Sequence, residues 1–193
     1  MKRRTFDVLV SWVGLSLAAL LLVAGGLLTW AHNFVGNEVH NQLAAQKIYF
    51  PASNSAAVAA PEFAAMRQYG GQLLTTGQQA EVYADHFIAN HLKAIGGGQT
   101  YSQLSAKSQA DPSNTALAAQ VDTMFRGETL RGLLLNAYAF GTVGGIAGIA
   151  AVVAFAGGGL LILLSGLGLW HARRVAPAAE LLPPAHEREQ QPV

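Results

Sequence analysis

The stretch GLLLNAYAFGTVGGIAGIAAVVAFAGGGLLILLSGLGLW, residues 132–170, decides the fold, because 39 consecutive residues pass without one Asp, Glu, Lys or Arg. A membrane-crossing helix needs about 20 mostly apolar residues, at about 1.5 Å of rise each, to cover about 30 Å of hydrocarbon. A hairpin of two spans turning at Gly157, Gly158 and Gly159 would leave only residues 160–170 for the return, about half a crossing. It would also put Arg173 and Arg174 on the outer side, whereas cytoplasmic flanks are the ones that collect Lys and Arg. One long span is therefore expected. Its core lies at residues 141–170, and residues 132–140 extend outward as the end of an external helix.

The same composition occurs once more, upstream. Residues 8–31, VLVSWVGLSLAALLLVAGGLLTWA, carry no charge and follow Lys2, Arg3 and Arg4. A basic start before an apolar run also describes a secretory signal peptide, but this run exceeds an h-region of about 7–15 residues. A cleavage site would have to be placed at Ala31, just after the bulky Trp30. An uncleaved anchor is the expectation. The basic flanks of both runs then put both chain ends in the cytoplasm by the positive-inside rule, and Trp30 and Trp170 fall at opposite interfaces, where amphipathic rings are favoured.

Charged residues make up 12% of the chain, about half the usual share for soluble domains. Cysteine is absent, so the segment between the runs has no disulfide to staple it. Between residues 32 and 131 there are six Lys or Arg and seven Asp or Glu; a nucleic-acid surface would be markedly basic.

That segment reads as short helices with clear punctuation. Residues 37–48 continue the first span as a polar helix, and residues 51–60 (PASNSAAVAA) read as a loop. Pro61 opens a short helix that Gly70 and Gly71 end. Thr76 with Gln79 is a capping-box signature for a helix over residues 77–95. At helical spacing Ala80, Tyr83, Ala84, Phe87, Ile88 and Ile95 share one arc, with Val82 and Leu92 falling on the polar side. Gly96, Gly97 and Gly98 stop it; Thr100 with Gln103 repeats the capping box. Asp111 as cap with Pro112 at the first helical position starts the last helix. No proline follows until residue 177, so one helix is expected to run from there into the membrane, with a kink at residues 157–159.

Two stretches, GQQAEVYADHFIANHLKAIGGGQTYSQLSA at residues 77–106 and MFRGETLRGLLLNAYAFGTVGGIAGIA at residues 124–150, resemble a group of small two-span membrane proteins of actinobacteria. The resemblance implies the two-span architecture and no activity. Some members carry a ring-opening dioxygenase label, to which this sequence lends no support. Such an iron site needs two histidines and a carboxylate converging. His86 and His91 are five apart, about 140° round a helix, where a metal-binding pair on one helix takes i,i+4 spacing. A site assembled from His40 and His86 stays open on spacing alone, and His91 lies in the apolar arc as a packing residue.

Nucleophilic catalysis has no Cys, no Gly-x-Ser-x-Gly elbow and no phosphate-cradling loop to work with. Glu81 and Asp85 stand i,i+4 and read as a solvated face, with cation binding as the sharper alternative. Ion paths leave ionisable groups inside the membrane; here the spans hold only Ser11, Ser16, Thr29, Asn136, Thr142 and Ser165. Gly141 with Gly145 and Gly144 with Gly148 form overlapping GxxxG pairs, candidates for close helix packing.

The sequence thus predicts an all-α membrane protein of two transmembrane helices with a small extracytoplasmic helical bundle between them. Its divisions are a cytoplasmic N-terminus (1–7), a first span (8–31), an extracytoplasmic helical domain (32–135), a second span with its outer extension (136–170) and a Pro-rich disordered cytoplasmic tail (171–193). The expected location is the plasma membrane. No catalytic, cofactor or metal residues are expected. The expected partners are the lipid bilayer and a membrane protein or a second copy of the chain, not nucleic acid. A non-enzymatic scaffold or accessory subunit is favoured, a sensor-like module comes next, and an extracytoplasmic enzyme last.

Overall fold

The computed structural model describes residues 2–176. Its regular elements are all helical: α1 (Arg3–Ala45), a 3-10 turn (Ala56–Val58), a 3-10 helix (Pro61–Tyr69), α2 (Gly77–Val82), a π-helical stretch (Tyr83–Ile88), α3 (Ala89–Ile95), α4 (Tyr101–Ala110) and α5 (Thr115–Arg174). An isolated antiparallel bridge joins Tyr49 and Leu73. Both α1 and α5 are long and apolar enough to cross a membrane, and in the most apolar stretch of each only 17% of residues are buried. The core helix of a soluble protein would be mostly buried; these two instead present Trp12, Leu20, Val23, Leu27, Val152, Leu163 and Leu167 as exposed side chains.

By its internal contacts the chain forms two compact units, one ending at Ala31 and resuming at Ala147, the other His32–Ile146. In the first unit α1 and α5 run antiparallel and touch through their smallest residues. A Cβ added at Gly14 would collide with the Ser165 hydroxyl, and one at Gly168 with the Ser11 hydroxyl. One at Gly25 would lie 3.0 Å from the Phe155 ring, and one at Gly158 3.2 Å from Leu22. Ser11, Ala18, Ala151, Ala154, Ser165 and Ala172 are buried along the same seam. On α1 the positions 11, 14, 18 and 25, and on α5 151, 154, 158, 165, 168 and 172, follow steps of three, four or seven, the period of a helix pair that stays in contact along its length. The three glycines at 157–159 interrupt nothing: α5 is helical through them, and Gly157 and Gly158 admit Leu21 and Leu22.

The second unit has a conventional core. Leu43, Val58, Met66, Leu74, Met124 and Leu134 are its fully buried large side chains, each worth about 1.5–3 kcal/mol relative to exposure. After α1 the chain turns at Lys47, a left-handed residue with φ 54°. Hydrogen bonds from Phe50 N to Gln72 O (2.9 Å), Gly71 N to Phe50 O (3.1 Å) and Leu74 N to Ile48 O (2.9 Å) then clasp the ends of the loop expected at residues 51–60 together with the 3-10 helix. That loop is ordered from within: Arg67 donates to the carbonyls of Val58, Ala59 and Ala60, and Val58 is wholly buried.

Both capping boxes form, with Thr76 and Thr100 accepting from the backbone of Gln79 and Gln103 and the glutamine side chains reaching back. The helix stop at the glycine triplet is a Schellman turn, with Gly98 N bonded to Lys93 O at 2.9 Å and Gly97 N to Ala94 O at 3.2 Å. Gly97 and Gly98 carry φ of 58° and 80°, conformations that glycine adopts without steric cost. Between these signals the expected regular helix is wrong in one respect. Residues 83–88 form a π turn, which inserts one residue and resets the face by about 100°. Leu92, assigned to the polar side by regular spacing, is 5% exposed in line with Ala80, Ala84 and Ile88, and Ile95, assigned to the core, is 41% exposed at the helix end.

The long last helix starts later than the sequence suggests. Asp111 and Pro112 belong to a preceding turn in which Ser113 bonds Asp111, and the capping side chain is Asn114, which accepts from Leu117 N at 3.0 Å. From Thr115 the helix continues without a break for 60 residues, about 90 Å at the usual rise. It ends at Arg174, four residues past the expected edge at Trp170; from residue 177 the expected tail lies outside the described residues.

Two glycines of the second unit separate propensity from packing. Around Gly132 a Cβ meets nothing within 4 Å, whereas at Gly77 it would lie 3.1 Å from the Ala137 carbonyl oxygen and the Tyr138 Cα. Thermal melting in detergent should therefore show Gly132→Ala stabilised by up to about 1 kcal/mol, and Gly77→Ala destabilised.

Candidate functional site

The glycines singled out in the sequence have separate neighbours. Gly144 is buried, and a Cβ there would lie 3.0 Å from Val35 of α1; at Gly141 it would lie 3.4 Å from Gly77 at the start of α2. Gly145 faces open space, and Gly148 is half-buried. Gly141 and Gly144 therefore serve two different contacts, and the GxxxG pairs do not act as one face. The residues that bring α1 and α5 together in the first unit, Ser11, Gly14, Gly25, Gly158, Ser165 and Gly168, went unselected in the sequence. Their signal was present as small residues at heptad spacing, hidden because serine breaks the GxxxG pattern.

His32 reinforces the Gly144 contact. Its Nδ1 donates to the Gly144 carbonyl at 2.8 Å, an oxygen made reachable by the missing side chain. His86 Nδ1 donates to Glu62 O at 3.1 Å, and His91 Nδ1 to Phe87 O, one turn back, at 2.7 Å. A carbonyl can only accept, so in each bond the proton sits on Nδ1. His91 is exposed but stacked, with ring centroids 4.3 Å from Phe87 and 5.7 Å from Phe63. The three rings are tied to three different carbonyls, and among the described residues no three His, Cys, Asp or Glu stand where they could hold a metal.

The carboxylate pair at Glu81 and Asp85 is divided by use. Asp85, on the π turn, pairs with Arg131 of α5 at 2.8 Å, and Arg131 also lies 3.6 Å from Glu128. The hydrogen bond that Arg131 donates to Asp85 raises the Arg131 pKa above its ordinary value. Side chains this exposed make a surface latch worth up to about 1 kcal/mol. Beside it, burial raises the Tyr83 phenol, whose ring packs on Phe50 and Phe87 at 5.4 and 4.9 Å.

Serine and threonine in the apolar runs turn inward to their own backbone. Ser11, Ser16, Thr29 and Thr142 each donate to the carbonyl four residues earlier, which satisfies their hydroxyl protons within the helix. In the second unit an apolar cleft of 390 Å³ opens between the two long helices, walled by Phe34, Val39, Leu43, Leu133 and Phe140 and rimmed by Glu38, Gln42 and Asn136.

If Gly144 is a packing glycine and Gly145 is not, Gly144→Leu should lower the melting temperature of the purified chain by several degrees. Gly145→Leu should leave it within about one degree, in keeping with about ±0.5 kcal/mol for surface changes. Equal effects would show that the contact with Val35 carries no stability.

Compared with known proteins, the chain matches no family model, no curated protein and no solved structure.

Proposed function

We propose that this is a two-pass plasma-membrane protein with both ends in the cytoplasm and residues 32–135 outside, acting by association as a scaffold or accessory subunit. The observation that carries the reading is the exposed apolar surface of α1 and α5, held together by small residues along one narrow seam. Water would not tolerate so continuous an apolar surface; hydrocarbon does. In lipid, burial of apolar area gives helices no reason to associate, and close packing at small residues takes over. Lys2, Arg3 and Arg4 before α1's apolar run and Arg173 and Arg174 at the end of α5 set the orientation. The similarity of residues 77–106 and 124–150 to two-span actinobacterial proteins belongs to the same proposal.

In keeping with a non-enzymatic role, Asp85 is latched to Arg131, while His32, His86 and His91 each donate through Nδ1 to a separate backbone carbonyl. Association fits the mostly apolar cleft walled by Phe34 and Phe140, with Glu38, Gln42 and Asn136 among its lining residues. The continuous helical assignment of α5 favours a second reading, a sensor-like module that passes an external event along that helix to a separate membrane partner.

The cysteine-free chain allows a direct test. In intact cells a membrane-impermeant thiol reagent should label Asn54→Cys and Ala110→Cys, and should reach Ala185→Cys only after permeabilisation. Labelling of position 185 from outside overturns the two-pass topology. Purification in mild detergent should recover a stoichiometric membrane-protein partner or a homo-oligomer; a monodisperse lone monomer contradicts action by association.

A further inference from the structure

We propose that the groove along the first turns of α1 seats the headgroup of an anionic phospholipid, a site that rests on the two-pass reading. The groove is shallow and open, with a volume of 660 Å³, and is lined by Lys2, Arg4, Thr5, Val8, Leu9 and Trp12. Its lining is ordered along the helix: two cations and a hydroxyl first, then two aliphatic residues, then an exposed indole. A phospholipid has the same order, from phosphate through glycerol to acyl chain. Ten residues of helix separate Lys2 from Trp12, about 15 Å, enough for a headgroup layer of roughly 6 Å and the upper acyl carbons beneath it.

Charge points the same way. The antiparallel pairing that sets Ser11 against Gly168 brings the end of α5 to the start of α1, adding Arg173 and Arg174 to Lys2, Arg3 and Arg4, all exposed. The Arg174 guanidinium lies over the Trp170 ring at 4.0 Å, held where an interfacial indole sits. Asp7 is the one carboxylate among the described residues at this end, against five exposed cations, so the net charge there is positive. Arg and Lys bind phosphate oxygens through charge-assisted hydrogen bonds. The apolar floor of Val8, Leu9 and Trp12 selects a lipid over a soluble phosphate.

Trp12 is the reporter. In the full chain carrying Trp30→Phe and Trp170→Phe, reconstituted in phosphatidylcholine vesicles, bromine on the upper acyl carbons of added lipid quenches an indole in contact with it. Brominated phosphatidylglycerol should quench Trp12 with about fivefold higher relative affinity than brominated phosphatidylcholine, since one cation near the surface accounts for about that factor. The preference should shrink with added salt and fall to near unity in Lys2→Gln/Arg4→Gln. A chain keeping only Trp30 should show no preference. Equal quenching of Trp12 by the two lipids, or a preference that survives the double substitution, overturns the site while leaving the spans intact. Quenching by neither lipid overturns the two-pass reading itself, and the site with it.

Discussion

Close approach of two helix backbones, permitted where a side chain is missing or ends at one atom, is the contact on which the arrangement of α1 and α5 depends. At Gly14 and Gly168 the space is filled by a serine from the facing helix, so each helix supplies both a gap and the plug for its partner's gap. Buried apolar area does not hold such a pair, because most of the apolar area stays outside. Dispersion at short range holds it, each atom pair contributing only about 0.1–0.2 kcal/mol, so continuity of contact matters more than any one residue. Ser11 spends its hydroxyl proton on the Asp7 carbonyl.

The second unit answers a different demand with ordinary means. Here large side chains, Leu43, Leu74, Met124 and Leu134 among them, are removed from water, and the same two helices supply only part of the wall. Local signals place the rest: a threonine cap opens α2, another opens α4, and left-handed glycines close α3. Arg67 makes the small-residue loop a fixed part of the unit by satisfying three of its carbonyls. The π turn then carries Asp85 out to meet Arg131, and π turns inside helices frequently mark sites of function.

What could be read from the residues follows from how local the determining interaction is. Helix type, both capping boxes and the glycine stop depend on neighbours within about five positions, and they were legible. The π turn was not, because a face count at a fixed 100° per residue has no term for an inserted residue; Leu92 was misplaced by it, while Ile95 is exposed because it ends the helix. The start of α5 was misjudged because Asp111-Pro112 and Asn114 both make competent caps, and only the turn around Ser113 decides between them. The packing seam was sought at the Gly141–Gly148 pairs, where the motif is densest. Gly141 and Gly144 do pack in the second unit, on Gly77 and on Val35, and pairing register, which a single sequence does not carry, adds Ser11, Gly14, Ser165 and Gly168 in the first.

Lipid on the outside of this pair and small residues on the inside make one claim with two halves, and a nitroxide scan from residue 149 to 170 in reconstituted vesicles tests both. Collisions with oxygen, which concentrates in hydrocarbon, should rise toward the middle of the scan while a water-soluble nickel complex is excluded. Superposed on that rise, oxygen accessibility should oscillate with a period near 3.5 residues, lowest at Ala151, Ala154, Gly158, Ser165 and Gly168 and highest near Val152, Leu163 and Leu167. Free access of the nickel complex to Leu163 would contradict the membrane half, and a profile without oscillation would contradict the seam.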